Sequence, residues 1–202
     1  YLMPSDRDRY LTSLRALARK LGYSVQVDKV LKLDPTDDER VTAGGGMRHP
    51  AVSCAGYQLP LGITLNSLPV ITFLRIPARP TVPIERLGDG WGVAAQADPA
   101  QLKALRLWLA RPAAAQELVA VMNQMPDDVV AVQLDKRFVA AYWREQNPLA
   151  QNAQKQALTW FWPSRKPNLP PTLADYPRLE FLDKSMRSLV NQAKKHWGTS
   201  PE

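Results

Sequence analysis

VVAVQLDKRFVAAYW, residues 129–143, is the stretch on which the fold turns. Val129, Val130 and Val132 before the middle, and Phe138, Val139, Tyr142 and Trp143 after it, are β-branched or aromatic types that fit a pleated, half-buried surface. The pattern predicts a β-hairpin with Asp135-Lys136 as its turn. The turn chemistry speaks against it, because a two-residue hairpin loop prefers Asn-Gly or Asp-Gly, whose residues accept positive φ. The competing reading is a helix over residues 136–146.

Working back from this stretch, the period changes to that of helices. Asp98-Pro99 is an N-cap followed by proline at the first helical position. Leu102, Leu105 and Leu109 form the expected apolar stripe, with Trp108 beside it. Arg111-Pro112 restarts the chain into a second helix built on Leu118, Val121, Met122 and Met125, and Pro126-Asp127-Asp128 is read as a solvated turn. Residues 51–93 are short β-rich runs broken by Pro and Gly, which predicts an antiparallel meander or small curled sheet. Pro77, Pro80 and Pro83 suit its edge. Tyr23, Val25 and Val27 alternate with polar residues, as in a half-buried strand. Gly44-Gly45-Gly46 is followed by Met47-Arg48-His49-Pro50, not by the Lys-Ser/Thr of a phosphate loop, and reads as a polar loop. Ser5 caps an amphipathic helix over residues 5–21, with Leu11, Leu14, Leu17, Ala18 and Leu21 on one stripe and Gly22 as its stop.

Downstream, residues 147–177 are rich in Gln, Asn and Pro and read as a short helix followed by an extended linker. The last helix, over residues 178–197, carries Leu179, Leu182, Met186, Leu189 and Ala193 on one side. The fold class is therefore α+β: N-terminal helix, antiparallel β meander, two central helices, β-hairpin, Pro-rich linker and C-terminal amphipathic helix. The expected organisation is a compact domain over 1–146, a linker over 147–177 and a helical arm over 178–202.

The chain has 202 residues and a net charge of +7, and residues 136–197 hold eleven Lys/Arg against four Asp/Glu. Cys54 is the single cysteine, so no intramolecular disulfide forms. His49 and His196 have no partner at metal-ligand spacing, and H-E-x-x-H, C-x-x-C and G-x-S-x-G are absent. The sequence therefore predicts no enzyme, cofactor, metal or small-molecule substrate.

Two features point to surfaces instead. TWFWPSRKP sets Trp160, Phe161 and Trp162 before Arg165 and Lys166, a pairing that serves core anchoring, a membrane interface or base stacking. Tyr1-Leu2-Met3 before Pro4 reads as the end of a membrane anchor. Arg7, Arg9, Arg15, Arg19 and Lys20 would then be juxtamembrane charges on the cytoplasmic side. The expected function is a non-enzymatic bacterial scaffold domain on the cytoplasmic side of the inner membrane, with the cytoplasm as the alternative location. It binds protein partners through the helix bearing Leu179, Leu182, Met186 and Leu189. The alternative function is a nucleic-acid-binding accessory protein that uses the basic C-terminal third.

Overall fold

The computed structural model describes residues 5–146 and 172–198. Trp160, Phe161, Trp162, Arg165 and Lys166, the stub at residues 1–4 and most of the Gln/Asn/Pro-rich segment lie outside them.

The hairpin is present. β6 (Val129–Leu134) and β7 (Phe138–Trp143) pair antiparallel, with Leu134 opposite Val139. The turn closes one residue later than expected, around Lys136-Arg137. The Asp135 N–H donates to the Phe138 carbonyl at 2.9 Å, and the Asp135 carboxylate accepts the Arg137 N–H at 3.0 Å. That side-chain bond shapes the turn without positive φ at either tip residue.

Around the hairpin lie β1 (Ser24–Leu31), β2 (Ala51–Pro60), β3 (Ile71–Arg75), β4 (Ile84–Gly88) and β5 (Trp91–Ala94). All pairings are antiparallel, and the order is β1-β2-β7-β6-β3-β5-β4. The hairpin comes last in the chain but occupies the middle of the sheet. Its composition explains the place: β7 is buried on both faces from Val139 to Trp143, which only a central strand allows. At β5 the backbone of β4 comes so close to Gly92 that a Cβ there would stand 2.5 Å from the Glu85 carbonyl oxygen, so only glycine fits.

The helices are α1 (Asp6–Lys20), the short exposed α2 (Asp37–Arg40), α3 (Pro99–Leu109), α4 (Pro112–Met122) and α5 (Pro177–Trp197). A 3-10 turn, Leu173–Asp175, precedes α5. Ser5 and Asp8 form a reciprocal capping box at the start of α1. Its far end is a Schellman motif: Gly22 has φ 99°, its N–H bonds the Arg19 carbonyl, and Tyr23 N–H bonds that of Ala18. Asp98 caps α3, accepting the Ala100 N–H at 2.8 Å. Asp98→Ala should lower stability by about 1 kcal/mol, the usual cost of a lost N-cap; the midpoint of urea unfolding reads this directly.

α1, α3, α4 and α5 all pack on one face of the sheet. Leu14, Leu105, Leu118 and Leu182 share a single core there with Tyr57, Phe73, Trp91 and Trp143. Two sequence expectations change with this geometry. In α3 the face that meets the sheet is Ala104, Leu105 and Trp108, which turns Leu109 to the rim, 46% exposed. In β1, α1 covers Val25 but not Val27, which stands 73% exposed on the outermost strand.

Leu179, Leu182, Met186 and Leu189 are at most 1% exposed and face the chain's own α4 and β7. The stripe expected to dock on a partner is buried inside the chain, and the helix expected as a separate arm shares its core with residues from Leu14 to Trp143. Trp197 locks the end of α5, with its ring 5.3 Å from Trp108 and under the Arg111 guanidinium at 3.9 Å.

Candidate functional site

Among the described residues, none of α1, α3, α4 and α5 packs over the second face of the sheet. Its floor is Val30, Cys54, Leu74, Ala94, Ala131, Ala140 and Tyr142, and among the described residues this smaller core draws no side chain from a helix. The strand period makes the division: Val139, Ala141 and Trp143 point to the helices, so Ala140 and Tyr142 point away. Leu33, Val82 and Ile84 fold over one end of this floor, held where Thr81 N–H donates to the Leu33 carbonyl at 2.8 Å. Two of the clefts on this face share Leu31 and Leu74 as a common border.

The larger cleft has a volume of about 500 Å³. That lies in the range of sites that enclose a small ligand or a few peptide side chains. Val30, Leu74, Val93 and Ala94 line its base, and Thr72, Gln101, Gln133 and Tyr142 form its polar wall. Gln101 Oε1 accepts the Thr72 N–H at 2.8 Å, completing the edge of β3 where β5 does not reach. The Tyr142 hydroxyl donates to Gln133 Oε1 at 2.6 Å. Each glutamine thus spends its oxygen internally and keeps amide N–H groups for whatever enters.

The reactive groups at this face are silenced. Burial, with smaller effects from Asp28 and Cys54, pushes the Tyr142 hydroxyl up to about 12, so it stays a neutral hydrogen-bonding group. Burial likewise pushes the Cys54 thiol up to about 11, and it donates weakly to the Asp28 carbonyl at 3.7 Å. A thiol held protonated in this way is a poor nucleophile.

The smaller cleft, about 290 Å³, is lined by Lys32, Asp34, Arg75, Arg144 and Gln146 among others. Arg75 is structural. Its guanidinium donates to the carbonyls of Val129 at 2.8 Å and Pro126 at 3.2 Å and lies 4.6 Å over the Trp91 ring. Burial lowers its pKa somewhat, yet an arginine starts so high that it remains charged.

Behind the smaller cleft sits a buried polar node that the sequence did not show. Asp128, read as a solvated turn residue, is buried. It accepts Trp143 Nε1–H at 2.7 Å and Gln146 N–H at 2.9 Å, and pairs with Arg178. Arg178 also donates to the Gln146 carbonyl at 3.3 Å, clasping together the chain on either side of residues 147–171. Glu145 is buried too, in a left-handed conformation at φ 52°, which a non-glycine residue enters at a cost. It accepts Arg15 Nε–H at 2.9 Å and the Tyr57 hydroxyl at 2.7 Å.

Among the juxtamembrane candidates, Arg15 is therefore turned inward against Glu145, while Arg7, Arg9, Arg19 and Lys20 are exposed on α1. Of the candidate residues that are described, the structure brings none to the open sheet face. The small residues Ala94, Ala131 and Ala140 were its one sequence signal, legible only once the phase of each strand was fixed.

Among the described residues no group of three or more His, Cys, Asp or Glu is placed to hold a metal ion, and no helix is long and apolar enough to cross a membrane. Compared with protein-family models, curated proteins and solved structures, the chain matches none.

Proposed function

We propose that the chain is a non-enzymatic interaction domain that takes a segment of a protein partner on the face of its sheet opposite α1, α3, α4 and α5. The observation that carries this reading is the larger cleft: an apolar base bordered by Gln101 and Gln133, whose oxygens are already engaged. Amide donors above an apolar floor suit the carbonyls and apolar side chains of a peptide. A phosphate backbone would need a cationic wall, and here one lysine, Lys29, lines the cleft together with the acid Asp28. The partner site thus moves from α5, whose apolar stripe is consumed in the core, to the opposite face of the molecule. The exposed Arg7, Arg9, Arg19 and Lys20 support a working place at the cytoplasmic side of a membrane.

A displayed peptide library panned on the intact chain tests the reading. Recovered peptides should shift the amide resonances of Leu74, Ala94 and Tyr142. Thr72→Arg, which fills the cleft from its wall, should weaken them at least about tenfold, the loss of one well-packed contact region. Peptides that map to the helical face, or that bind Thr72→Arg unchanged, would contradict it.

A further inference from the structure

We propose that the outer face of α1 and α5 is a peripheral binding surface for an anionic lipid bilayer. This surface lies on the side of the molecule opposite the clefts, and its argument is independent of the partner site.

The first observation is where the charge goes. α1, α3, α4 and α5 together carry twelve Lys/Arg and five Asp/Glu, so they account for the whole +7 of the chain. The sheet, the loops and the remaining residues balance. Arg15 and Arg178 are neutralised by Glu145 and Asp128, and the excess of positive charge that remains on this side creates a field that orients the molecule on an oppositely charged surface.

The second observation is how α1 and α5 lie. Tyr10 meets Tyr176 with ring centroids 5.4 Å apart, Tyr23 donates to Asp183 at 2.9 Å, and Arg187 donates to the Leu21 carbonyl at 3.1 Å. The helices therefore run side by side and parallel, with buried sides in the same core and exposed sides facing the same way. Arg19 and Lys20 of α1 and Lys184 of α5 stand exposed there and make no ion pair among the described residues. The nearby acids are engaged: Asp8 in the capping box, Asp183 with Arg187, and Glu117 of α4 with Lys195 and His196. Glu180, like Asp8, is exposed.

The third observation selects lipid. Phe181 is 61% exposed, one helical turn from Lys184, although every other large apolar side chain of α5 is packed away. An exposed aromatic ring among basic residues on a helix lying flat is the arrangement of an interfacial helix, whose ring enters the headgroup region while its cations meet anionic lipid. A duplex contacted through its phosphates gives no use for the ring.

The intact chain is sedimented with vesicles of phosphatidylcholine and phosphatidylglycerol at about 2:1, and with pure phosphatidylcholine vesicles. It should bind the first and not the second, and salt at about 0.5 M should release it, because screening then acts within a few ångströms. Arg19→Glu/Lys20→Glu/Lys184→Glu should weaken binding more than about a hundredfold, and Phe181→Ser about tenfold. Both variants change exposed side chains, and circular dichroism should confirm an intact fold. Arg79→Glu/Lys136→Glu, which lowers the net charge by four units away from this face against six in the triple variant, should bind nearly as the parent does. Equal binding to neutral vesicles, or equal loss in the Arg79/Lys136 variant, would overturn the proposal. So would tighter binding to a labelled DNA or RNA duplex that the triple variant abolishes, which would assign the face to nucleic acid.

Discussion

A chain ending at Asp175 should not fold. The truncation removes Leu179, Leu182, Met186 and Leu189, each at most 1% exposed. Burying each is worth roughly 1.5–3 kcal/mol, so the four together contribute about 6–12 kcal/mol, comparable to the whole stability of a domain at about 5–15 kcal/mol. The loss goes further than those side chains. α4 and β7 lose their cover, and Asp128 stays buried without Arg178. The expected result is collapse of amide-resonance dispersion and no cooperative urea transition. A synthetic peptide of residues 176–202 added in trans should restore both, since the missing piece is a core element. A truncated chain with a native spectrum and an unchanged midpoint would show that α5 is a separate arm after all.

Arg15→Ala should be strongly damaging although Arg15 is partly exposed. It leaves the Glu145 carboxylate 4% exposed with the Tyr57 hydroxyl as its one remaining donor among the described residues. Removing one member of a buried pair costs about 3–5 kcal/mol because the other charge stays behind. The lower end applies here, about 3 kcal/mol, since Arg15 is itself 28% exposed and water can follow it in. The reverse change should cost less. Glu145→Gly leaves a guanidinium able to turn toward solvent, and it relieves a φ of 52° that glycine adopts without strain. Chemical denaturation of the two variants side by side measures the difference. If Glu145→Gly proved as harmful as Arg15→Ala, the asymmetry argued from burial would be wrong.

What the sequence made legible was local. The Ser5 cap, the Gly22 stop, Asp98-Pro99 and the hairpin depend on residues within a few positions of one another, and each is where its own chemistry puts it. What escaped depends on distant chain. Glu145 meets Arg15 across 130 positions and Asp128 meets Arg178 across 50, and no periodicity signals which turn carboxylate will be covered. An amphipathic stripe likewise says that α5 needs a surface, not whose surface. The clefts were hidden for a topological reason. Because β7 and β6 insert between β2 and β3, Val30, Tyr142 and Leu74 become parts of one floor, although they are far apart in the chain.

The central claim, a protein partner on the sheet face opposite α1, α3, α4 and α5, is tested most directly by site-specific photo-crosslinking in the organism of origin. A benzoyl-phenylalanine is placed at Gln133 in the larger cleft and, as a control, at Gln124, exposed after α4. The account predicts a discrete protein adduct from position 133, diminished when Thr72→Arg is added, and none from position 124. No discrete adduct from 133, or the same adduct from both positions, would contradict it.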